Sequence, residues 1–252
     1  MAGYDSYVVC TSPRSGSTLL CRLLASTGVA GNPESWFHNP SVTDWLANFN
    51  LAEDNSLSER EILLKIFEAG IVKGRANNGI FGLRLQRHSF DFLQQKLAVL
   101  NPALWNDAQR FKAVFGNTLY IHLSRQDKVK QAVSYVKASQ SGLWHVAPDG
   151  TELERLSAPT ELEYNADDIR KRFVELSAYD QGWKRWFATE QINPLPISYE
   201  SLSENPLQTL RWLLDRLGLY SEPATGVEVS VAKLADETSH EWVSRFRSEC
   251  EL

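Results

Sequence analysis

The sequence predicts an α/β protein: a parallel β-sheet flanked by helices and opened by a phosphate-loop-like turn. Short apolar runs alternate with longer stretches of helical period, the pattern of βαβ units. The first apolar run enters a Ser/Gly/Arg-rich turn and leaves on leucines, "VVCTSPRSGSTLL" at 8–20. Later runs lead to arginines, as expected where strands end at the ligand-binding edge of an open sheet. The 252 residues are read as one domain, 1–252, with no internal repeat.

Element by element, "YVVCT" (7–11) is a buried strand and 17–27 a helix stopped at Gly28. "GIFGLRL" (79–85) and "TLYIHLS" (118–124) are the second and third strands, and "LPIS" (195–198), bracketed by prolines, the fourth. In "NADDIRKRFVELSAYDQGWKRWF", Ile169, Phe173, Leu176, Trp183 and Phe187 share one helical stripe. Asn165 caps that helix, and Asp168 meets its dipole. In "ENPLQTLRWLLDRLG", Asn205 caps, Pro206 starts the helix, Gly218 ends it, and Leu207, Leu210, Leu214 and Leu217 are its buried face. The segment 141–164 lacks clear periodicity and carries Pro, Gly and many charges. It is read as a lid or acceptor loop.

Composition narrows the function. The net charge is −5, so no global positive field recommends a nucleic acid partner, and any anion site must be a local basic cluster. No apolar run approaches the ~20 residues of a membrane helix, and the N-terminus has no signal-peptide pattern. Cys10, Cys21 and Cys250 have neither zinc nor redox spacing, and the first two lie in apolar segments. These features point to a cytoplasmic protein.

The turn after the first strand carries the chemistry. Gly16 lets backbone approach an anion, Ser17 and Thr18 open a helix whose free amides attract phosphate, Ser15 adds a hydroxyl, and Arg14 adds a planar fork for oxyanions. Aligned on Gly16, the ATP-binding template G-x-x-x-x-G-K-[ST] finds Thr11 for its first glycine and Ser17 for its lysine. No strand ends in the aspartate that would hold magnesium, and no metal is expected. Arg125, at the end of the third strand, and Ser134 beyond it make a second anion point at the same sheet edge. Lys128 and Lys130 are read as a solvated helix face. Two anion points suit a ligand with two phosphate-like ends.

Four segments together resemble bacterial carbohydrate sulfotransferases of the trehalose 2-sulfotransferase family: "SPRSGSTLL", "GVAGNPESWF", "HLSRQDKVKQAVSYVKASQ" and "LADETSHEWVSRFR". Their order and spacing match from near residue 7 to near 247. The resemblance implies a P-loop-like sulfotransferase fold using 3′-phosphoadenosine-5′-phosphosulfate (PAPS) as donor and a carbohydrate or glycoconjugate as acceptor, and makes a homodimer an expectation. It would place the 5′-phosphosulfate in loop 12–18 and the 3′-phosphate at Arg125 and Ser134. Lys233 would be an extra cation in a C-terminal segment closing over the nucleotide.

Sulfuryl transfer to an alcohol needs a proton acceptor beside the hydroxyl and positive charge at the departing phosphate oxygen, here assigned to Arg14. The family has a glutamate just before an aromatic pair. This chain has Ser35 there, with Glu34 one residue earlier, before Trp36-Phe37. Glu34 is the chosen catalytic base, with His38 the rival. Trp36 and Trp144 are candidate faces for sugar rings, Phe37 is read as core, and Arg84 stands where the family has a lysine and could steady the sulfonate. His122 is read as a core residue, and His88 and His240 as helix starts. The competing readings are a small-molecule kinase with an irregular phosphate loop and a non-catalytic nucleotide-binding scaffold.

Overall fold

The computed structural model describes residues 3–75 and 79–250. Strands β1 (Ser6–Thr11), β2 (Phe81–Gln86), β3 (Thr118–Ser124) and β6 (Leu195–Ser198) form one sheet in the order β2-β1-β3-β6, every pair parallel. Strands β4 (Leu143–Val146) and β5 (Glu152–Arg155) make a separate antiparallel hairpin. The helices are α1 (Ser17–Ser26), α2 (Val42–Asn48), α3 (Glu59–Gly74), α4 (Arg87–Leu100), α5 (Asp107–Phe115), α6 (Lys128–Ser141), α7 (Ala166–Thr189), α8 (Tyr199–Glu204), α9 (Pro206–Leu217) and α10 (Glu237–Cys250).

All six residues of β1 are buried, because it lies between two neighbours and both sheet faces are covered. Strand alternation divides its side chains between two cores. Val8 and Cys10 join Leu83, Leu85, Phe90, Phe111 and Trp183 on one face. Tyr7 and Val9 join Ile121, Leu123, Leu20, Leu24, Leu210 and Leu214 on the other. A third cluster packs Val129 and Val133 of α6 against Ile169, Leu176, Trp242 and Phe246. The apolar stripe of α7 therefore serves two cores: its first half holds α6 and α10, while Trp183 and Phe187 lie on the sheet side. Since α6 and α10 carry one wall of the cleft described below, this division fixes that wall to the sheet.

Two expectations need correction. Asn165 caps α7 through bonds from the Asp167 and Asp168 amides, but Asn205 makes no side-chain cap on α9, where Pro206 already removes one amide that would need a partner. The segment 141–164 is not structureless throughout. Its middle folds as the β4–β5 hairpin, whose four-residue strands have no fully buried face and so no readable alternation. One smaller reading also changes: Lys128 is tucked 3.9 Å from Asp180 rather than standing free in solvent. His122 is buried in its strand as read, with its Nε2 3.1 Å from the same carboxylate without the alignment of a hydrogen bond.

Asn165→Ala should cost about 1 kcal/mol in urea unfolding, the usual value of an N-cap. Asn205→Ala should stay within about 0.5 kcal/mol. Equal losses would show that the two positions do not differ as described.

Candidate active site

All four sheet strands point their C-terminal ends at one edge, where a cleft of about 1350 Å³ opens. Its lining draws Arg14, Gly16, Ser17 and Thr18 from the first loop, Arg84 from β2, and Arg125 and Ser134 from the third crossover. Trp144 comes from the hairpin and Lys233 from the C-terminal segment. Arg14 and Lys233, both brought to this cleft, lie 219 positions apart. Ser15, Glu34 and Trp36 are not among the lining residues.

The loop is shaped from behind. Ser15 is buried and donates its hydroxyl to the Ser12 carbonyl at 2.8 Å, so it braces the turn instead of facing the cleft. Gln131 Nε2 of α6 donates to the Pro13 carbonyl at 2.7 Å and to Ser12 Oγ at 3.0 Å. Trp183 Nε1 donates to the Thr11 carbonyl at 2.7 Å. Gly16 is the N-cap of α1 at φ 84° and offers no side chain to the first helical amides. A Cβ on it would lie 2.7 Å from Tyr199 Cδ2. Arg14 also has a left-handed backbone, φ 62°, which L-residues rarely adopt. Such strain persists only where surrounding contacts enforce it.

Arg14 and Arg125 share one buried corner. Arg14 Nε donates to Ser134 Oγ at 3.0 Å and its Nη1 to the Trp144 carbonyl at 2.6 Å. Arg125 Nη1 donates to the Arg14 carbonyl at 3.3 Å, and its guanidinium lies 4.4 Å from the Tyr199 ring centroid. Among the described residues no carboxylate stands at ion-pair distance from either arginine. Burial, followed by repulsion from Arg125, lowers the Arg14 pKa to about 10, and burial lowers that of Arg125. Arg125 Nε is buried without a hydrogen-bond partner. Uncompensated buried charge and an orphaned donor are both costly, and an anion seated here relieves both. The corner therefore fits a phosphate or sulfate group.

Arg84 organises the opposite side. Its Nε donates to Ser35 Oγ at 2.8 Å and its Nη1 to Thr18 Oγ1 at 3.0 Å, while Nη2 lies 3.7 Å from Glu34 Oε2. A backbone bond from Arg84 N to the Glu34 carbonyl, 3.1 Å, ties the two segments. The Glu34 side chain is 48 % exposed, and Ser35 takes the place lining the cleft. Trp36 donates to the Asn32 carbonyl and packs towards Phe49, away from the cleft. Phe37 is fully buried, as read from its sequence context. His38 lines the cleft beside His88, ring centroids 4.8 Å apart, and burial and then Arg84 lower its pKa.

Three site residues escaped the sequence reading. Gln131 and Tyr199 act through long-range packing that no local pattern reveals. His145, on β4, lies 3.0 Å from Thr18 Oγ1 and 3.3 Å from Glu154 Oε2, both through Nε2. Burial first, then Arg14, Arg84 and Arg22, lower its pKa to about 4. Its only sequence signal was a histidine in an aperiodic, charged stretch next to Trp144.

A parallel sheet delivers a lysine-free oxyanion loop and a second arginine to one cleft, an arrangement suited to an anionic ligand. The Stf0 sulphotransferase family model matches residues 6–249, and the chain belongs to that family of sulfate-transferring enzymes. It is 30% identical to the trehalose 2-sulfotransferase of Mycobacterium tuberculosis, over 96% of this chain and 94% of that protein. Identity to the trehalose 2-sulfotransferase of Mycolicibacterium smegmatis is also 30%, over 98% and 96%. A crystal structure of a sulfotransferase from Alicyclobacillus acidocaldarius aligns over 99% of this chain and 93% of its own, at 16% identity and a TM-score of 0.40.

Gly16→Ala should destabilise the protein by about 1–2 kcal/mol from its left-handed backbone alone. It should also weaken binding of an anion at this loop by displacing Tyr199, with 3′-phosphoadenosine 5′-phosphate (PAP) as the probe. Thermal unfolding and calorimetry measure the two effects, and unchanged PAP affinity would show that the loop tolerates the displacement.

Proposed function

We propose that this enzyme transfers the sulfuryl group of PAPS to a hydroxyl of a carbohydrate or glycoconjugate. The observation that carries the reading is the Arg14–Arg125 corner: two buried guanidiniums without a carboxylate, beside a helix start free of side-chain caps. In this reading the 17–18 amides, the Ser17 and Thr18 hydroxyls and Arg14 hold the 5′-phosphosulfate. Arg125 and Ser134 hold the 3′-phosphate. The Arg14–Ser134 bond makes these two anion points contiguous. Lys233, which also lines the cleft, supplies a further cation.

The donor supplies an activated sulfuryl group, and the protein supplies position and charge. Arg14 and the loop amides stabilise negative charge at the departing phosphate oxygen, and Arg84 faces the sulfonate. Glu34, paired with Arg84 from the outer side, keeps that guanidinium in line and acts as a positioning residue. Trp144 presents a ring to the cleft, where it meets Tyr135 edge to face at 5.3 Å, and suits the apolar face of a sugar. The two curated relatives are named for trehalose, so trehalose is the first acceptor to try.

Calorimetry in EDTA should show PAP binding without metal. Arg125→Ala should erase the preference for PAP over 5′-AMP, and equal loss for both ligands would mean that Arg125 does not read the 3′-phosphate. Binding of Mg-ATP in place of PAP would favour a kinase. Arg14→Ala should lower turnover with labelled PAPS and trehalose by about 10²–10³, the usual cost of one preorganised donor. An unchanged rate with weaker donor affinity would make Arg14 a uniform binder.

A further inference from the structure

We infer that His145, carried by the β4–β5 hairpin and held by Glu154, is the proton acceptor for the incoming hydroxyl. This rests on the sulfuryl-transfer reading above. The cleft needs such a group. Ser35 occupies the inward position of the "PESWF" loop and is already bonded to Arg84, while Glu34 is half exposed outside the lining. His145 lines the cleft from the hairpin, in contact with Thr18 at the start of α1.

The tautomer follows from its neighbours. Nε2 faces two oxygens, Glu154 Oε2 at 3.3 Å and Thr18 Oγ1 at 3.0 Å. The Glu154 carboxylate can only accept, so it places the proton on that nitrogen, while the Thr18 hydroxyl can donate or accept and already accepts from Arg84 Nη1. Nδ1 then carries the lone pair, and it makes no hydrogen bond among the described residues. This is the arrangement of an orienting carboxylate, an imidazole and a free basic nitrogen, which recurs in general-base sites. The groups facing the ring are Arg14 from the loop, Thr18 and Arg22 from α1, Arg84 from β2 and Glu154 from β5. Burial first, and then the three guanidiniums, disfavour the imidazolium, so the ring is neutral at pH 7. When it gains a proton, Glu154 is the one carboxylate placed to share the charge.

The step balances. The acceptor O–H proton moves to Nδ1 of His145 as the acceptor oxygen bonds to sulfur. The bond from sulfur to the 5′-phosphate oxygen breaks, and its electron pair stays on that oxygen, opposite Arg14 and the loop amides. The proton then leaves His145 to solvent before the next turnover.

The test uses the full chain. His145→Gln should retain PAP affinity by calorimetry, lose roughly 10²-fold or more in turnover, and lose the acidic limb of the pH–rate profile. Glu34→Gln should lower turnover but keep that limb. Glu154→Gln should move the limb to lower pH, because removing the carboxylate makes the imidazolium harder to form. Independently of activity, the His145 ring resonance should titrate well below the ordinary histidine range in the PAP-free protein and shift again in Glu154→Gln. The inference is overturned if His145→Gln binds PAP and keeps both turnover and limb, or if Glu34→Gln alone removes the limb. Were His145→Gln to misfold, the Glu154→Gln titration and pH profile would still decide, since an unmoved limb and resonance also overturn it. A wild-type protein that neither binds PAP nor transfers sulfate would sink the sulfuryl-transfer reading instead, while leaving the ring titration to report on the His145–Glu154 contact.

Discussion

Two guanidiniums buried side by side without a counter-charge are the constraint around which the rest of the site is arranged. A folded chain pays heavily for such a pair, and the surroundings show how it is held. Tyr199 offers its ring face to Arg125, Ser134 and the Trp144 carbonyl accept from Arg14, and the left-handed backbone at Arg14 turns its carbonyl to Arg125. The braces behind the loop, Trp183 and Gln131, come from helices whose other faces belong to the main cores. Charge in the cleft is thus kept in place by apolar packing at some distance from it.

The same corner explains how an acidic protein accommodates an anionic ligand. The net charge is −5, yet Arg14 and Arg125 meet at one sheet edge with no carboxylate at ion-pair distance among the described residues. Arg84 is the exception. It meets Glu34 on its outer side and hydroxyls on its inner side, so its charge is shared between holding the "PESWF" loop and facing the cleft.

Much of the scaffold was legible because its signals are local. The apolar runs at 118–124 and 195–198 coincide with β3 and β6, and the glycine after α9 is in the left-handed conformation expected of a helix stop. The anion loop was legible for the same reason: a strand, a tight turn and a helix start are contiguous. The acceptor side was not. Whether Glu34 or Ser35 turns inward depends on how a loop strand pairs with β2, through the Glu34–Leu83 bridge, and nothing within the loop dictates it. The hairpin was missed because neither strand is buried on one face, and Ser15 was misplaced because a hydroxyl's choice between ligand and loop carbonyl is a tertiary matter.

The bond between Arg14 and Ser134 also bears on how the protein reaches its native state. It joins residues 120 positions apart, and the contacts of Trp144 and His145 with the first loop span 130 and 127. Closing such loops costs chain entropy that local helices do not repay, so contacts of this kind form after the sheet has brought their ends together. A partly folded chain, or one cleaved between α6 and the hairpin, can retain most of its helices and still lack a place to hold an anion. Secondary-structure content is therefore a poor proxy for native protein here, and ligand-dependent protection against proteolysis a good one.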